Sequence, residues 1–234
     1  HKKKINIIHL EAGLRSFDRS MPEEVNRLII DQISNILLVP TKFDYQNLKN
    51  ENLINSKKVF ITGNTITDTI KFALPKIVNN EILNKLRLKK RNYYLTTIHR
   101  PENTDDPKIL EKIISNLDKI GEKLNTEIIF PAHFRTIKLI SKIKIKKLKK
   151  LKIINPLSYY DFLKLQKESK IIITDSGGIQ EEASILKVPC ITVRKNTERQ
   201  ITIKKKINIL SSISYKSLIT SLKTMNKKKV KNHK

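Results

Sequence analysis

Two of the chain's five glycines stand side by side in Thr174-Asp175-Ser176-Gly177-Gly178-Ile179-Gln180-Glu181-Glu182, between the apolar run Ile171-Ile172-Ile173 and a stretch that favours helix. The apolar run predicts a buried strand, and the turn out of it opens a helix. The first N–H groups of such a helix lack intrahelical partners and carry partial positive charge. Gly177 and Gly178 let an anion approach the backbone, and Ser176 adds a hydroxyl donor. Glu182, one helical turn beyond Gly178, is spaced to reach a sugar hydroxyl, the task an acid performs on ribose in nucleotide-binding α/β folds. The chemistry is that of a nucleotide diphosphate site. A diglycine also serves a tight strand-to-helix turn, and the motif alone leaves both readings open.

Three further segments carry chemistry. His9-Leu10-Glu11-Ala12-Gly13-Leu14-Arg15 puts an acid, a glycine and a cation in one loop, His99-Arg100-Pro101-Glu102-Asn103 combines a titratable ring with a cation, and Arg194-Lys195-Asn196-Thr197-Glu198-Arg199 is basic and polar. In Ser20-Met21-Pro22-Glu23-Glu24, Ser20 and Glu23 have the spacing of a capping box, with Pro22 suited to a first helical turn. Capping does not exclude a chemical role for Glu23.

The elements that must position these residues alternate. Strands are predicted at 5–8, 36–39, 59–62, 93–98, 127–130, 152–154, 171–174 and 190–193. Helices lie between them: Val25, Leu28, Ile29, Ile33 and Ile36 recur at helical spacing, as do Ile109, Ile113, Leu117, Ile120 and Leu124. Such alternation predicts an α/β protein with parallel sheets covered by helices on both faces. Ligands then sit beyond the carboxyl ends of the strands, where each segment above begins. A domain boundary is expected at Thr62-Gly63-Asn64, dividing the chain into residues 1–62, 63–213, and a C-terminal helix and basic tail at 214–234.

With 234 residues, 38% of them hydrophobic, the chain can bury a core. No apolar run approaches the ~20 residues of a membrane span, and no signal-peptide core opens the sequence, so a soluble, intracellular protein with no membrane partner is expected. The single Cys190 excludes an internal disulfide and reads as a small buried hydrophobe. The formal charge is +26 and mainly lysine, concentrated in residues 138–152, where eight lysines alternate with Ile and Leu, and in the tail at 227–231. Without stacking aromatics, Gly-Arg tracts or zinc-finger spacing, these read as a solvated face and a frayed end, not a nucleic-acid surface. The chain opens at His1, almost directly in a strand-like run, as a fragment lacking an upstream part does.

In order and spacing, residues 9–15, Pro22-Glu23-Glu24-Val25-Asn26-Arg27, Thr62-Gly63-Asn64-Thr65, residues 99–103, 175–183 and Thr197-Glu198-Arg199 resemble the UDP-N-acetylglucosamine 2-epimerase family of non-hydrolysing type. The resemblance runs from His9 to Arg199 and covers the last two thirds of a family member. It implies a GT-B arrangement of two Rossmann-like domains, the N-terminal one truncated, with the active site in the cleft between them. It also implies a cytoplasmic homodimer that uses no metal and no nicotinamide and supplies precursors of cell-surface polysaccharide. The implied reaction interconverts UDP-GlcNAc and UDP-ManNAc: UDP is eliminated to leave a glycal, and adds back as C2 is reprotonated on its other face.

By motif match, Glu11 and Glu23 resemble the catalytic carboxylates, with the acid and base roles open between them, and His99 the histidine at the diphosphate. Ser176, Gly177 and Gly178 resemble the diphosphate cradle, Glu182 the ribose contact and Arg199 an arginine reaching the nucleotide sugar. Phe162 and Leu157 fall at the uracil, Leu157 in place of a polar residue found in some members. His133 resembles a histidine of the activating second UDP-GlcNAc site of some bacterial members, with Phe134 where many relatives have Pro. Gln200 likewise replaces the Pro that usually follows Arg199. A glycine-rich basic loop and a proton-transferring aspartate of the family lie upstream of these residues, so residues 1–234 alone are expected to be inactive or nearly so. The rival functions are a hydrolysing epimerase, an epimerase of a modified UDP-amino sugar such as a diacetamido uronic acid, a GT-B glycosyltransferase and, from another class, a basic nucleic-acid-binding protein.

Overall fold

The computed structural model describes residues 5–143 and 145–227. They form two compact units, one from the described residues up to Lys71 with 196–201, the other from 72–195 with the described residues from Thr202 onward.

The first unit runs β1 (Ile8–Leu10), α1 (Pro22–Ile33), β2 (Ile36–Val39), α2 (Lys42–Asn50), β3 (Lys58–Ile61) and most of α3 (Thr65–Ala73). Its three strands are parallel in the order β1-β2-β3, with Ile8 opposite Ile36 and Leu37 opposite Val59. Leu37 and Val39 bury one face of this sheet against Ala12, Leu48 and Leu53. Thr41 caps α2, its hydroxyl accepting the N–H groups of Phe43 and Asp44.

Three expectations change here. The first strand begins at Ile8, not Ile5, so His9 and Leu10 belong to it and the loop starts at Glu11. The capping box does not form: Met21 is the N-cap of α1 and gives no side-chain cap, because the Ser20 hydroxyl is drawn to Asp18 Oδ1 at 2.6 Å. The apolar stripe of α1 faces outward, with Ile29 52% and Ile33 42% exposed, while Glu24 and Asp31 are buried and Ile36 already lies in β2. Residues 24 and 31 are seven apart and share a helix face. That face is given to ionic and hydrogen-bonded contacts with the loop after β1, as detailed below.

The second unit continues with α4 (Ile82–Lys85), β4 (Tyr93–Thr97), α5 (Pro101–Thr104), α6 (Pro107–Leu124), β5 (Glu127–Pro131), α7 (Phe134–Ile140), β6 (Leu151–Ile154), α8 (Tyr159–Glu168), β7 (Ile171–Thr174), α9 (Gly177–Ile185), β8 (Cys190–Val193), all but the first two residues of α10 (Gln200–Lys204), β9 (Asn208–Ser211) and α11 (Tyr215–Lys227). Six parallel strands lie in the order β6-β5-β4-β7-β8-β9. One face buries Tyr94, Ile128, Phe130 and Ile191 under Ile113 and Leu117 of α6 and Leu218 and Leu222 of α11. The other buries Tyr93, Leu95, Ile129 and Ile172 with Leu165, Val188 and Cys190. Such two-sided cover is what a parallel sheet needs. Burial pushes the Cys190 thiol up to about 12, so it packs as a hydrophobe.

β9 escapes prediction because it offers only two apolar residues, at a sheet edge, between Asn208 and Ser211. The units divide between Lys71 and Phe72, not at residue 62: Gly63, at φ 82°, turns the chain from β3 straight into α3, which is continuous to Ala73. α11 is no appendage, since Leu218, Leu222 and Met225 enter the core of the second unit. Of the basic tail only Lys227 falls within the described residues. Along 138–152, Lys138, Lys142, Lys146, Lys147, Lys149 and Lys152 are exposed while Ile143, Ile145 and Leu148 pack on the core, a solvated face as expected. Among the described residues no helix is long and apolar enough to cross a membrane.

Candidate functional site

In the second unit the chain moves outward from β4 through β5 to β6, then returns to β7 beside β4 and moves the other way through β8 to β9. Connections diverge between β4 and β7, and the crevice beyond their carboxyl ends is where open α/β sheets bind ligands. His99 follows β4; Ser176, Gly177 and Gly178 follow β7. The two segments singled out by residue type therefore meet at the one switch point of this sheet.

Asp175 ties them together. It is fully buried, and its Oδ1 takes the His99 Nδ1 proton at 2.9 Å. Its Oδ2 accepts the backbone N–H groups of His99 and Arg100 and the side-chain amide of Asn103, each at 3.0 Å. Arg100 Nε adds a bond to the Asp175 carbonyl. The Asp175 hydrogen bond and charge raise the His99 pKa above the ordinary imidazole value, against a smaller opposing effect of burial. Burial disfavours the Asp175 carboxylate, yet His99, Asn103 and the Arg100 N–H hold it below the usual carboxylate range.

Ser176 is the N-cap of α9 and forms no side-chain cap, so its hydroxyl is not spent on the helix, while its N–H donates to Thr174 Oγ1. Gly178 has no positive φ, and a Cβ built on it meets nothing within 4 Å. Neither turn geometry nor packing requires glycine there, and the backbone at Gly178 is open to approach. Glu182 is buried, accepts the Gln166 side-chain amide, and has its pKa raised by burial.

A cavity of about 450 Å³ opens beyond β4, β5, β6 and β7. It is lined by Thr97, Ile98 and His99, by Pro131, His133, Arg135 and Thr136, by Pro156, Leu157 and Phe162, and by Ile179 next to Gly178. Its size and mostly apolar wall with a few polar groups suit a flat base or a similar ring. His99, Leu157, Phe162 and His133 are thus brought together. His133 accepts the Arg135 N–H on Nδ1, which leaves Nε2 as its donor.

Glu11, Glu23 and Arg199 belong to the first unit. Glu11 sits at φ 63°, a left-handed conformation costly for a side-chain-bearing residue, and its Oε2 accepts from Arg199 Nη2 at 3.0 Å. A buried ionic network fixes the loop behind it. Asp31 of α1 takes His9 Nδ1 at 2.6 Å, the Gly13 N–H at 3.1 Å and Arg15 Nη2 at 2.7 Å, and Arg15 also pairs with Glu51. Gly13, at φ 80°, has no room for a Cβ, which would lie 2.4 Å from the Asp44 carbonyl oxygen. Glu24 is buried and accepts the N–H groups of Ser16 and Phe17 and a bond from Arg27. Its neighbour Glu23 is exposed, and its side chain makes no hydrogen bond or ion pair among the described residues.

Residue reasoning gave no role to Asp31, Asp175 or Gln166. Asp31 carried a signal, an acid inside the apolar stretch Leu28-Ile29-Ile30-Asp31-Gln32-Ile33. Asp175 stood within the quoted motif, but its partners come from residues 99–103, far away in sequence. Gln166 carries none, being one polar residue among many on α8.

A doubly wound parallel sheet with a diglycine helix start at its switch point places this protein in the Rossmann class, and its solved relatives are GT-B-like. The chain belongs to the UDP-N-acetylglucosamine 2-epimerase family, whose pattern it matches over residues 1–234. It is 44% identical to the UDP-N-acetylglucosamine 2-epimerase of Methanocaldococcus jannaschii, over 97% of this chain and 64% of that protein. It is 34% identical to the UDP-2,3-diacetamido-2,3-dideoxy-D-glucuronate 2-epimerase of Pseudomonas aeruginosa, over 95% of this chain and 61% of that protein. A crystal structure of the M. jannaschii enzyme in complex with UDP-GlcNAc and UDP superposes with a TM-score of 0.89, over 98% of this chain and 64% of that one. The chain thus spans a little under two thirds of the length of these relatives.

Proposed function

We propose that this chain carries the nucleotide-binding and carboxylate-bearing parts of a UDP-N-acetylglucosamine 2-epimerase, acting on UDP-GlcNAc and UDP-ManNAc in the supply of polysaccharide precursors. The observation that carries this is the free space over Gly178 at the switch point, beside a histidine held by a buried carboxylate.

The uracil enters the cavity against Phe162 and Leu157, Glu182 takes the ribose hydroxyls, and Ser176, Gly177 and Gly178 hold the diphosphate with His99. Arg199 meets the nucleotide sugar. One of Glu11 and Glu23 removes the C2 proton while the C1–O bond breaks and its electron pair leaves with UDP, producing a glycal. Positive charge at His99 and the helix start stabilises that leaving diphosphate. UDP then re-forms the C1–O bond as the other acid delivers a proton to the opposite face of C2, so the overall change is an isomerisation. Family membership with 44% identity to a named epimerase supports this substrate. A modified UDP-amino sugar is the second reading, favoured by the 34% identity to the P. aeruginosa enzyme. As in the family resemblance, the protein acts as a cytoplasmic homodimer, and His133 contributes to binding a second, activating nucleotide sugar.

Because residues 1–234 alone are expected to be inactive or nearly so, the reaction is tested by incubating the parent enzyme with UDP-GlcNAc in deuterated water, followed by NMR. Deuterium entering C2 with UDP-ManNAc as product is expected of an epimerase. Retention of the C2 hydrogen with sugar passed to an acceptor identifies a glycosyltransferase, and free N-acetylmannosamine identifies a hydrolysing enzyme. Calorimetric titration with UDP reads nucleotide binding apart from turnover, and salt-dependent RNA binding without UDP affinity would reject the proposal.

A further inference from the structure

We infer that Asp175 is the positioning residue of the diphosphate site: its carboxylate receives the Nδ1 proton of His99, turns Nε2–H toward the anion, and stabilises a positive ring beside the Ser176-Gly177-Gly178 turn. This rests on the nucleotide-binding reading above. Asp175 is fully buried, and its two oxygens are occupied by His99 Nδ1, the N–H groups of His99 and Arg100, and the Asn103 amide. All four donors come from the 99–103 segment, so the carboxylate does not serve a ligand directly. It acts through His99, whose side chain is 49% exposed and lines the cavity. A histidine held this way offers a fixed N–H and a charge in one direction, which a neutral ring free to rotate does not.

The charged groups around His99 are few. Asp175 faces it from the β7–α9 turn, Arg100 and Glu102 flank it on its own segment, and Arg100 Nη1 lies 3.6 Å from Glu102 Oε1. From α7 and its N-cap, His133 and Arg135 line the same cavity, with Arg135 paired to Asp105. Asp175 is the strongest influence on the ring, Arg100 opposes it and Glu102 adds weakly to it.

The test is the affinity for UDP-GlcNAc measured by calorimetry from pH 5.5 to 9. UDP-GlcNAc has no monoester phosphate, whose second pKa near 6 would titrate in the same range. Wild-type affinity is expected to fall as pH rises through the His99 pKa. In Asp175→Asn the fall comes at lower pH, with affinity at pH 7.5 roughly ten-fold weaker. His99→Gln, which keeps a donor without the charge, flattens the profile. An unshifted profile in Asp175→Asn, or an unaltered one in His99→Gln, overturns the proposal. Should Asp175→Asn lose its fold, the wild-type His99 C2–H resonance decides by itself: a titration midpoint above the ordinary histidine value of about 6.5 supports Asp175 control, and one at or below it overturns it. If wild type binds no UDP-GlcNAc at any pH, the nucleotide-site reading fails, and the NMR midpoint still reports on the Asp175–His99 pair.

Discussion

Arg199 Nη2 lies 3.0 Å from Glu11 Oε2, although 188 residues separate them in sequence. The pair exists because residues 196–201 leave the second unit after β8 and join the first. Asn196 supports the return with a bond to Asp18 Oδ2 at 2.6 Å. Glu11 thus combines a left-handed backbone at φ 63° with a cationic partner outside its own loop, and the proposed role in moving the C2 proton is tested by substitution. Made in the parent enzyme, Glu11→Gln, which preserves shape, is expected to lower C2 deuterium exchange by at least about 100-fold without loss of fold. Glu11→Gly relieves the left-handed strain, so its thermal midpoint should stay within a few degrees of wild type while exchange is lost. Full exchange in Glu11→Gln removes Glu11 from the chemistry.

Gly178→Ala separates ligand approach from packing. A Cβ there meets no atom within 4 Å and the residue lies in the first turn of α9, so alanine should raise stability by about 0.5–1 kcal/mol. On the proposed binding mode the same methyl group stands in the path of the diphosphate, and UDP affinity should fall at least about ten-fold. Thermal unfolding and calorimetry on one sample read both. A variant that is more stable and binds UDP as well as wild type shows that the diglycine is a turn and nothing more.

Glu23 and Glu24 are neighbours with opposite duties. Glu24 satisfies the N–H groups of Ser16 and Phe17 and pairs with Arg27, which together hold its pKa low although burial opposes ionisation. Glu24→Ala leaves those donors without an acceptor and should cost about 2–4 kcal/mol in urea unfolding. Glu23→Ala, on an exposed side chain without partners, should leave the unfolding curve unchanged while abolishing exchange at C2. A Glu23→Ala protein with normal exchange returns Glu23 to an ordinary surface residue.

Much of this was legible in the sequence because it was written locally. Ile171–Thr174 and Cys190–Val193 are apolar, β-branched runs with one structural solution, and the turn residues after them name the ligand edge. α1 shows the limit. Its 3.6-residue period is real, but periodicity does not say which stripe turns inward, and here Glu24 and Asp31 outcompete Val25 and Ile29 because three loop N–H groups and two arginines need carboxylates. Ser20 likewise had two possible partners, the helix N–H groups and Asp18, and spacing cannot rank them. Asp175 was visible as a letter, yet its function depends on β4 and β7 being neighbours, which only the strand order reveals.

The acid network gives the fold a pH signature of known sign. Burial disfavours ionised Asp31, but the His9 hydrogen bond and Arg15 outweigh it and hold its folded pKa below the usual aspartate value. Glu24 and Asp175 shift the same way. In the window between the folded and unfolded pKa values the unfolded chain binds more protons. The stabilisation is therefore complete above the unfolded value of about 4 and is lost as pH falls through the folded values. Asp31→Asn removes the charge that His9 and Arg15 need and should cost about 3–5 kcal/mol at pH 7. It should cost less at pH 3, below the unfolded value of about 4, where the unfolded wild-type carboxylate is largely protonated and part of the charge stabilisation is lost. Urea unfolding of both proteins at several pH values checks this, the two stability curves converging toward acid. Curves that stay parallel from pH 7 to 3 mean that the Asp31 carboxylate does not hold the acid loop by charge.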